Sequence, residues 1–366
     1  SDDTGIFAQR FDANGAAVGG EFQVNTSEVG TQYPATITAL TGGGFVVSWQ
    51  GPDISVGGIF AQQYDANGAA MGGEFQVNTH DASIQESPSV TALADGGYVV
   101  TWDSYNQDAS ATFGVFGQRY DANGAAVGGE FQVNQTSAGS QMTPDIVGLP
   151  DGGFVAVWQS LDQDGDGWGV FAQRFDANGV PVGAEIQVNS TVSSDQTRPH
   201  VAVLASGGFA VAWQSLNQDG DALGVYAREY LADGTPNSDE LAVNVTTAGD
   251  QSNVDITGLA NGGFAVTWDA PDGSSTGVFG RVYDHATPGA DGYWVVDAND
   301  LAGLTVTPPV NSDQDFTLNL SVTSTETANG DTSTTTMNLT VNVNAVADAP
   351  TLSADASVHA TEGDTI

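Results

Sequence analysis

The sequence predicts an all-β chain: a β-propeller of five or six four-stranded blades followed by a partial β-sandwich. Three observations carry this. A Gly-Gly-aromatic run ending on tryptophan recurs at Gly43–Trp49, Gly96–Trp102, Gly152–Trp158, Gly207–Trp213 and Gly262–Trp268. The copies are spaced by 53, 56, 55 and 55 residues, the mark of an array of one supersecondary unit. Each unit holds four short runs with apolar residues at alternate positions, which is strand periodicity and the count of a propeller blade.

The second unit shows the four strands in order. Ser89–Leu93 reads as a short first strand, 97–102 as the tryptophan strand, 114–120 as the third and Glu130–Asn134 as the fourth. Asp121-Ala122-Asn123-Gly124 closes a hairpin between the third and fourth, with Asn and Gly suited to positive φ. Most spacings do not vary. The aromatic of strand three precedes the Asn ending strand four by 18 residues in every unit (Phe7–Asn25 through Tyr226–Asn244), and a Gln follows seven residues later (Gln32, Gln85, Gln141, Gln196, Gln251). The variation in length lies between the tryptophan and the next aromatic, at 11 to 14 residues. One loop per blade is thus free to differ, and a variable rim on a rigid scaffold is where binding is sought. The invariant Gln residues read as backbone hydrogen-bonders between blades, and the tryptophans as core.

The array does not begin at a blade edge. Residues 5–25 read as strands three and four, and 253–283 as strands one to three. Either the N-terminal strand completes the last blade, giving five, or a sixth blade exists whose first half lies upstream. The propeller is assigned 1–284 and a linker 285–290. Residues 291–347 carry two period-two runs around the turn Asn329-Gly330-Asp331. They read as half a sandwich, since an immunoglobulin-type domain needs about seven strands. Residues 348–366 read as a linker into a further module.

Composition limits the function. Six Arg, no Lys and 45 acidic residues give a net charge of −39, which excludes a nucleic-acid partner. It suits either self-repelling solubility or a milieu rich in divalent cations. No apolar run spans a bilayer, so no direct membrane insertion is expected, and the absence of cysteine rules out disulfides.

Asp162-Gln163-Asp164-Gly165-Asp166 places oxygen ligands at alternate positions of a variable loop, as a Ca²⁺ site requires. It is similar to the calcium loops of integrin-type propellers. The next unit carries Asn217, Asp219 and Asp221 in register, and the second unit a weaker version with Asn106 and Asp108. The competing reading is a polar turn in an acidic protein. Trp168, Tyr105 and Phe113 lie in the same loops outside the strand pattern. They are candidates for stacking on a sugar or holding a peptide, or else they cover the loop's own base. The histidines are dispersed and show no metal-ligand spacing. No unit reads as holding a singular acid in an apolar context, so an enzyme is not expected.

The runs Asp300-Leu301-Ala302-Gly303-Leu304-Thr305-Val306-Thr307 and Val341-Asn342-Val343-Asn344-Ala345-Val346-Ala347-Asp348-Ala349-Pro350 resemble the cadherin-like or immunoglobulin-like modules of bacterial repeats-in-toxin adhesins. That resemblance covers 291–366. It implies a split sandwich, type I secretion to the cell surface, calcium shared between neighbouring adhesin modules through linker acids such as Asp348, and an adhesive role in biofilms. The propeller is then expected to bind a glycan or peptide on another surface. The rivals are a spacer without a ligand and, last, a propeller glycosidase, which needs two carboxylates about a glycosidic bond.

Overall fold

The computed structural model describes residues 4–27, 30–53, 57–108, 111–273 and 275–283, and the strands 287–288, 294–295, 316–325 and 332–341. Residues 1–300 form one compact unit and 301–366 a second.

The first unit is a series of antiparallel sheets. β1 (Phe7–Phe11) pairs with β2 (Ala17–Gln23). Sheet I contains β3 (Ala35–Ala39), β4 (Phe45–Gly51), β5 (Gly58–Tyr64) and β6 (Ala70–Gln76). Sheet II contains β7 (Gln85–Ala92), β8 (Tyr98–Tyr105), β9 (Phe113–Tyr120) and β10 (Ala126–Gln132). Sheet III contains β11 (Gln141–Gly148), β12 (Phe154–Leu161), β13 (Trp168–Phe175) and β14 (Pro181–Gln187). Sheet IV contains β15 (Gln196–Val203), β16 (Phe209–Leu216), β17 (Leu223–Tyr230) and β18 (Leu241–Ala242). Sheet V contains β19 (Ser252–Gly258), β20 (Phe264–Pro271) and β21 (Thr276–Tyr283). β22 (Thr287–Pro288) pairs with β23 (Trp294–Val295). In the second unit β24 (Phe316–Thr325) and β25 (Thr332–Val341) form an unbroken antiparallel ladder from Phe316↔Val341 to Thr325↔Thr332.

Within each sheet the strands lie in chain order. Successive sheets pack through their first strands: β3 on β7, β7 on β11, β11 on β15 and β15 on β19. The result is an all-β structure of repeated four-stranded sheets, in a propeller-like succession. β2 pairs with β1, and in sheet V β21 pairs with β20, so among the described residues the N-terminal strand does not complete the last sheet.

The recurrent residues have local causes. The second glycine of each pair lies under the third strand: a Cβ on Gly44, Gly97, Gly153 or Gly208 would collide with the carbonyl oxygen of Tyr64, Tyr120, Phe175 or Tyr230. In the hairpins, Asp65 Oδ1 accepts from the Asn67 and Ala69 amides at 2.8 Å, and Asp121 and Asp176 do the same in later units. The core lies between sheets rather than within them. Trp158 packs with Val99 and Val115 of sheet II, and Trp213 with Val155 and Val170 of sheet III.

The Asn and Gln seven residues apart form a clamp. Asn134 Oδ1 accepts from Val115 N at 2.8 Å, and its Nδ2 donates to Gln141 Oε1 at 2.9 Å. Gln141 Nε2 donates to the Ala138 carbonyl at 2.9 Å. The same Asn-to-Gln bond recurs in all five units. The Gln residues therefore do bond backbone, but in the segment that carries the chain from one sheet to the next.

Strands of sheet II differ in extent from expectation: the second runs on to Tyr105, and the fourth is Ala126–Gln132 instead of Glu130–Asn134. The first strand of sheet II begins at Gln85, not Ser89. Its ladder is interrupted by a bulge between Glu86 and Ser89, where Ser87 adopts φ +53°. The bulge breaks the period-two pattern, which hid the strand's start. Equivalent bulges place Thr143, Arg198 and Asn253 at φ +51° to +52° in sheets III to V.

Candidate active site

Gln85 pairs with Ser104, so the chain enters β7 at the end where β8 turns into the variable loop. Both connections open on one rim in each sheet. The predicted metal loops lie on that rim. Asp162 has φ +60°, and its amide donates to the Gly167 carbonyl at 2.6 Å. Asp164 Oδ2 accepts from Asn189 Nδ2 at 2.8 Å, and Asp166 Oδ2 from Ser194 N at 3.2 Å. Sheet IV repeats the pattern: Asn217 has φ +62°, Asp219 accepts from Asn244 Nδ2 at 2.9 Å and Asp221 from Gly249 N at 3.1 Å. In sheet II Asn106 N donates to Thr112 O at 2.8 Å, and Asp108 accepts from Gln132 Nε2 at 3.3 Å. These carboxylates are thus directed at separate donors and bracket each variable loop to the segment entering the next sheet. Among the described residues no three His, Cys, Asp or Glu side chains gather as a metal site. Asp348 lies outside the described residues, as do the rest of the 348–366 tail, the turn at 329–331 and most of 285–290.

Tyr105 and Phe113 face each other at the last rung of the β8–β9 ladder, as an edge-on pair 5.2 Å apart. They cap the base of their loop, and Tyr105 keeps 38% of its surface exposed. Trp168, opposite Leu161, is half-buried.

The chemistry gathers elsewhere, along the first strands. The residue four places after each invariant Gln occupies one register position in successive sheets: Thr36, Ser89, Asp145, His200 and Asp255. Ser89 Oγ donates to Asp145 Oδ1 at 2.8 Å, and Val201 N donates to Asp145 Oδ2 at 2.9 Å. His200 Nδ1 lies 3.5 Å from Asp145 Oδ2 and 4.0 Å from Asp255 Oδ1. Burial alone would raise the Asp145 pKa. The bond and charge of His200, with the Val201 and Ser89 donors, outweigh it and hold the carboxyl below its ordinary value. Burial likewise opposes the imidazolium, but Asp145 and then Asp255 raise the His200 pKa. The dispersed histidines therefore include one that the 55-residue period sets between two carboxylates.

A second pair lies one step toward the rim. Asp103 follows the tryptophan of sheet II, where sheets I, III and IV have Gln50, Gln159 and Gln214. It is directly opposite Glu86. Strand alternation puts Asp103 on the face of Val99 and Thr101, and Val99 packs into sheet III. Ser89, opposite Thr101, shares that face and reaches Asp145. The Glu86–Asp103 pair and the Ser89–Asp145 bond thus start from one face of sheet II, with Tyr105 on the same face at the rim.

Asp103 is fully buried, and neither carboxylate oxygen finds a donor of good geometry. Burial, and then the charge of Glu86, push its pKa well above the carboxylate range, while Ser87 opposes this in part. Burial also raises Glu86, which keeps some access to solvent. Sequence reading missed this pair because Asp103 is one acid among 45. The register position holds three Gln and two Asp, Asp103 and Asp269, so burial and not residue type singles out Asp103.

No family model and no curated protein matches the chain. Solved structures similar to it include an endo-arabinase from Bacteroides thetaiotaomicron (TM-score 0.39, 11% identity, covering 65% of this chain and 89% of that one). Another is an α-L-arabinofuranosidase from Fusarium graminearum in complex with an iminosugar inhibitor (TM-score 0.45, 10% identity, 66% and 79%). A third is a levansucrase from B. megaterium (TM-score 0.40, 10% identity, 76% and 86%). The resemblance to repeats-in-toxin adhesins is corrected here, because the similar structures are of this kind and not adhesin or cadherin-like modules. The adhesion and biofilm role built on that resemblance falls with it. So does the exclusion of an enzyme. The exclusion also rested on the absence of a singular acid in an apolar setting, and Asp103 is one.

Proposed function

We propose that the first strands surround the axis of a β-propeller and that the chain hydrolyses a glycosidic bond at the rim of that axis. One observation carries this reading: carboxyl groups on or beside neighbouring first strands have their pKa values shifted in opposite directions. Glu86 and Asp103 are raised by burial, while Asp145 is held ionised by Ser89, Val201 and His200. Environments that separate carboxyl pKa values in this way assign acid and base roles at one pH.

Glu86, the accessible member of its pair, is the general acid. It gives its proton to the glycosidic oxygen as that oxygen leaves the anomeric carbon. Buried Asp103 lies directly opposite it on β8 and positions it, while burial opposes the ionisation of Glu86. Asp255, with 74% of its side chain exposed, is the base that takes a proton from the attacking water. The water oxygen bonds to the anomeric carbon as the leaving group departs. Asp145 and His200 position that carboxylate, and the Asp145 charge stabilises the cationic sugar in the transition state. Tyr105, with Phe113 behind it, offers a face on which a sugar ring stacks at the rim.

The test is release of aryl alcohol from a panel of pentoside and hexoside p-nitrophenyl glycosides, and of reducing ends from oligosaccharides, between pH 4 and 8. Glu86→Gln and Asp255→Asn are each expected to lower kcat by about 10²–10⁴-fold, with circular dichroism unchanged. Wild-type protein inert on every substrate, or undiminished rates in both variants, would reject the assignment.

A further inference from the structure

Five of the six arginines are used to hold the sheets together. Arg10 donates to the Ala66 carbonyl at 2.8 Å and to the Asn67 carbonyl. Arg119 and Arg174 pair with Asp95 and Asp151. Arg228 donates to the Val188 carbonyl and Arg281 to the Val243 carbonyl, each at 3.1 Å. All five lie on the repeat's third strand.

Arg198 differs. It is on β15, at the bulge two residues before His200, and its side chain is exposed. Its backbone is left-handed at φ +51°, a conformation that long side chains seldom adopt and that recurs at functional sites. The strand is fixed there by Arg198 N donating to Gln159 Oε1 at 3.0 Å. The guanidinium donates from Nη1 to Asn253 Oδ1 at 3.1 Å, a neutral acceptor. Asn253 Nδ2 in turn donates to Asp269 Oδ2 at 2.8 Å, so the amide stands between the two charges. Among the described residues Arg198 has no carboxylate within ion-pair distance, and its charge reaches His200 strongly enough to oppose protonation there. The same bulge position holds Ser87, Thr143 and Asn253 in neighbouring sheets, side chains that suffice for sugar hydroxyls. Only here does the row carry an uncompensated cation.

We propose that Arg198 receives an anionic substituent, a carboxylate or a sulfate, on the glycan entering this site, so that the substrate class is an acidic polysaccharide. A guanidinium with free donors in a planar fork is the group that takes either anion in a two-point contact. The net charge of −39 does not prevent this, because beyond about 8 Å at physiological ionic strength surface charges are largely screened. Contact at the site then decides. The inference rests on the glycosidase reading for its chemistry, but its binding arm stands independently.

The experiment is calorimetric titration of the full chain with trigalacturonate, with the same trisaccharide as its methyl ester, and with 6-sulfated galactobiose beside its unsulfated form. Wild type is expected to prefer at least one anionic ligand over its neutral counterpart by about tenfold, the order of one charge-assisted contact. Preference for the uronate assigns a carboxylate, and preference for the sulfated disaccharide assigns a sulfate ester. Arg198→Gln should bind anionic and neutral forms alike, and Arg198→Lys should keep part of the preference. Thermal melts of both variants report whether the fold is intact. Equal wild-type affinity for charged and neutral forms, no binding of either anion, or a preference undiminished in Arg198→Gln would overturn the proposal. A retained preference without hydrolysis of any substrate would instead reject the glycosidase reading and keep the anion site.

Discussion

At the scale of single residues, the position after the sheet II tryptophan shows a conflict between stability and chemistry. Three sheets have Gln there, sheet V has Asp269, which accepts from Asn253, and sheet II has a buried Asp without a well-placed donor. Because the folded pKa of Asp103 is raised, the protein must hold a proton on it that the unfolded chain releases. The penalty is absent below the unfolded carboxylate pKa, near 3.9, and grows as pH rises toward the folded value. Asp103→Asn is therefore expected to melt with wild type near pH 3.5. At pH 7 it should be more stable by about 1–3 kcal/mol, read by urea denaturation. Equal stability of the two proteins at pH 7 would show that Asp103 carries no such strain. His200 and Asp145 have the opposite sign. The lowered Asp145 stabilises above about pH 4 and the raised His200 below about pH 6.5, so their pairing is fully expressed between those limits.

At the scale of elements, the variable loops are held by acceptors that reach into the next connection. Glu74, Glu130, Glu185 and Glu240 on the fourth strands accept from the segment leaving the preceding sheet. Glu185 takes the Gln135 and Thr136 amides at 2.6 and 3.1 Å, and the Gln163 side chain at 2.7 Å. Asp164 and Asp219 do the same work at the loop tips, each on the clamp Asn of its own unit. Asp164→Ala removes one of three acceptors from the buried Asn189 amide, which keeps Thr191 and Gln196. It is expected to cost about 1–2 kcal/mol in chemical denaturation, by the same amount with calcium or with chelator. A loss confined to calcium-containing buffer would instead assign Asp162, Asp164 and Asp166 to a cation. The Asx hairpins and the Gly pairs were legible in the sequence, since each answers a local backbone demand. The bulged start of each first strand was not, because an αL residue followed by proline, as at Ser87-Pro88, interrupts the strand period.

At the scale of the whole molecule, charge and packing oppose each other. Cores formed between adjacent sheets tie the stability of each sheet to its neighbours, while 45 acidic residues against six Arg repel throughout. Raising NaCl from 20 to 500 mM is expected to increase Tm by several degrees through screening. Calcium chloride at matched ionic strength should add nothing further if the loops are tied only by hydrogen bonds. A Tm that is flat or falls with NaCl would mean that repulsion is not a major term.

The repeat by itself determined the four-stranded sheets, the Gly-Gly turns and the buried tryptophans, and separate period-two runs determined the antiparallel pair near the C-terminal end. Alternation and spacing are local, and a period near 55 residues repeats each constraint five times. The adhesin resemblance did not survive, because the similar solved structures are not adhesin or cadherin-like modules. Only the tertiary structure decided where the candidate site is. Asp145, His200 and Asp255 stand one repeat apart in the chain, and Glu86 faces Asp103 across the β7–β8 hairpin. They meet because first strands stack on first strands and a bulge re-aims the side chains before them. Hydrogen-bond donors, which no sequence position states, then divide two buried carboxyl groups: His200, Val201 and Ser89 lower the pKa of Asp145, while Asp103 lacks a well-placed donor and is raised.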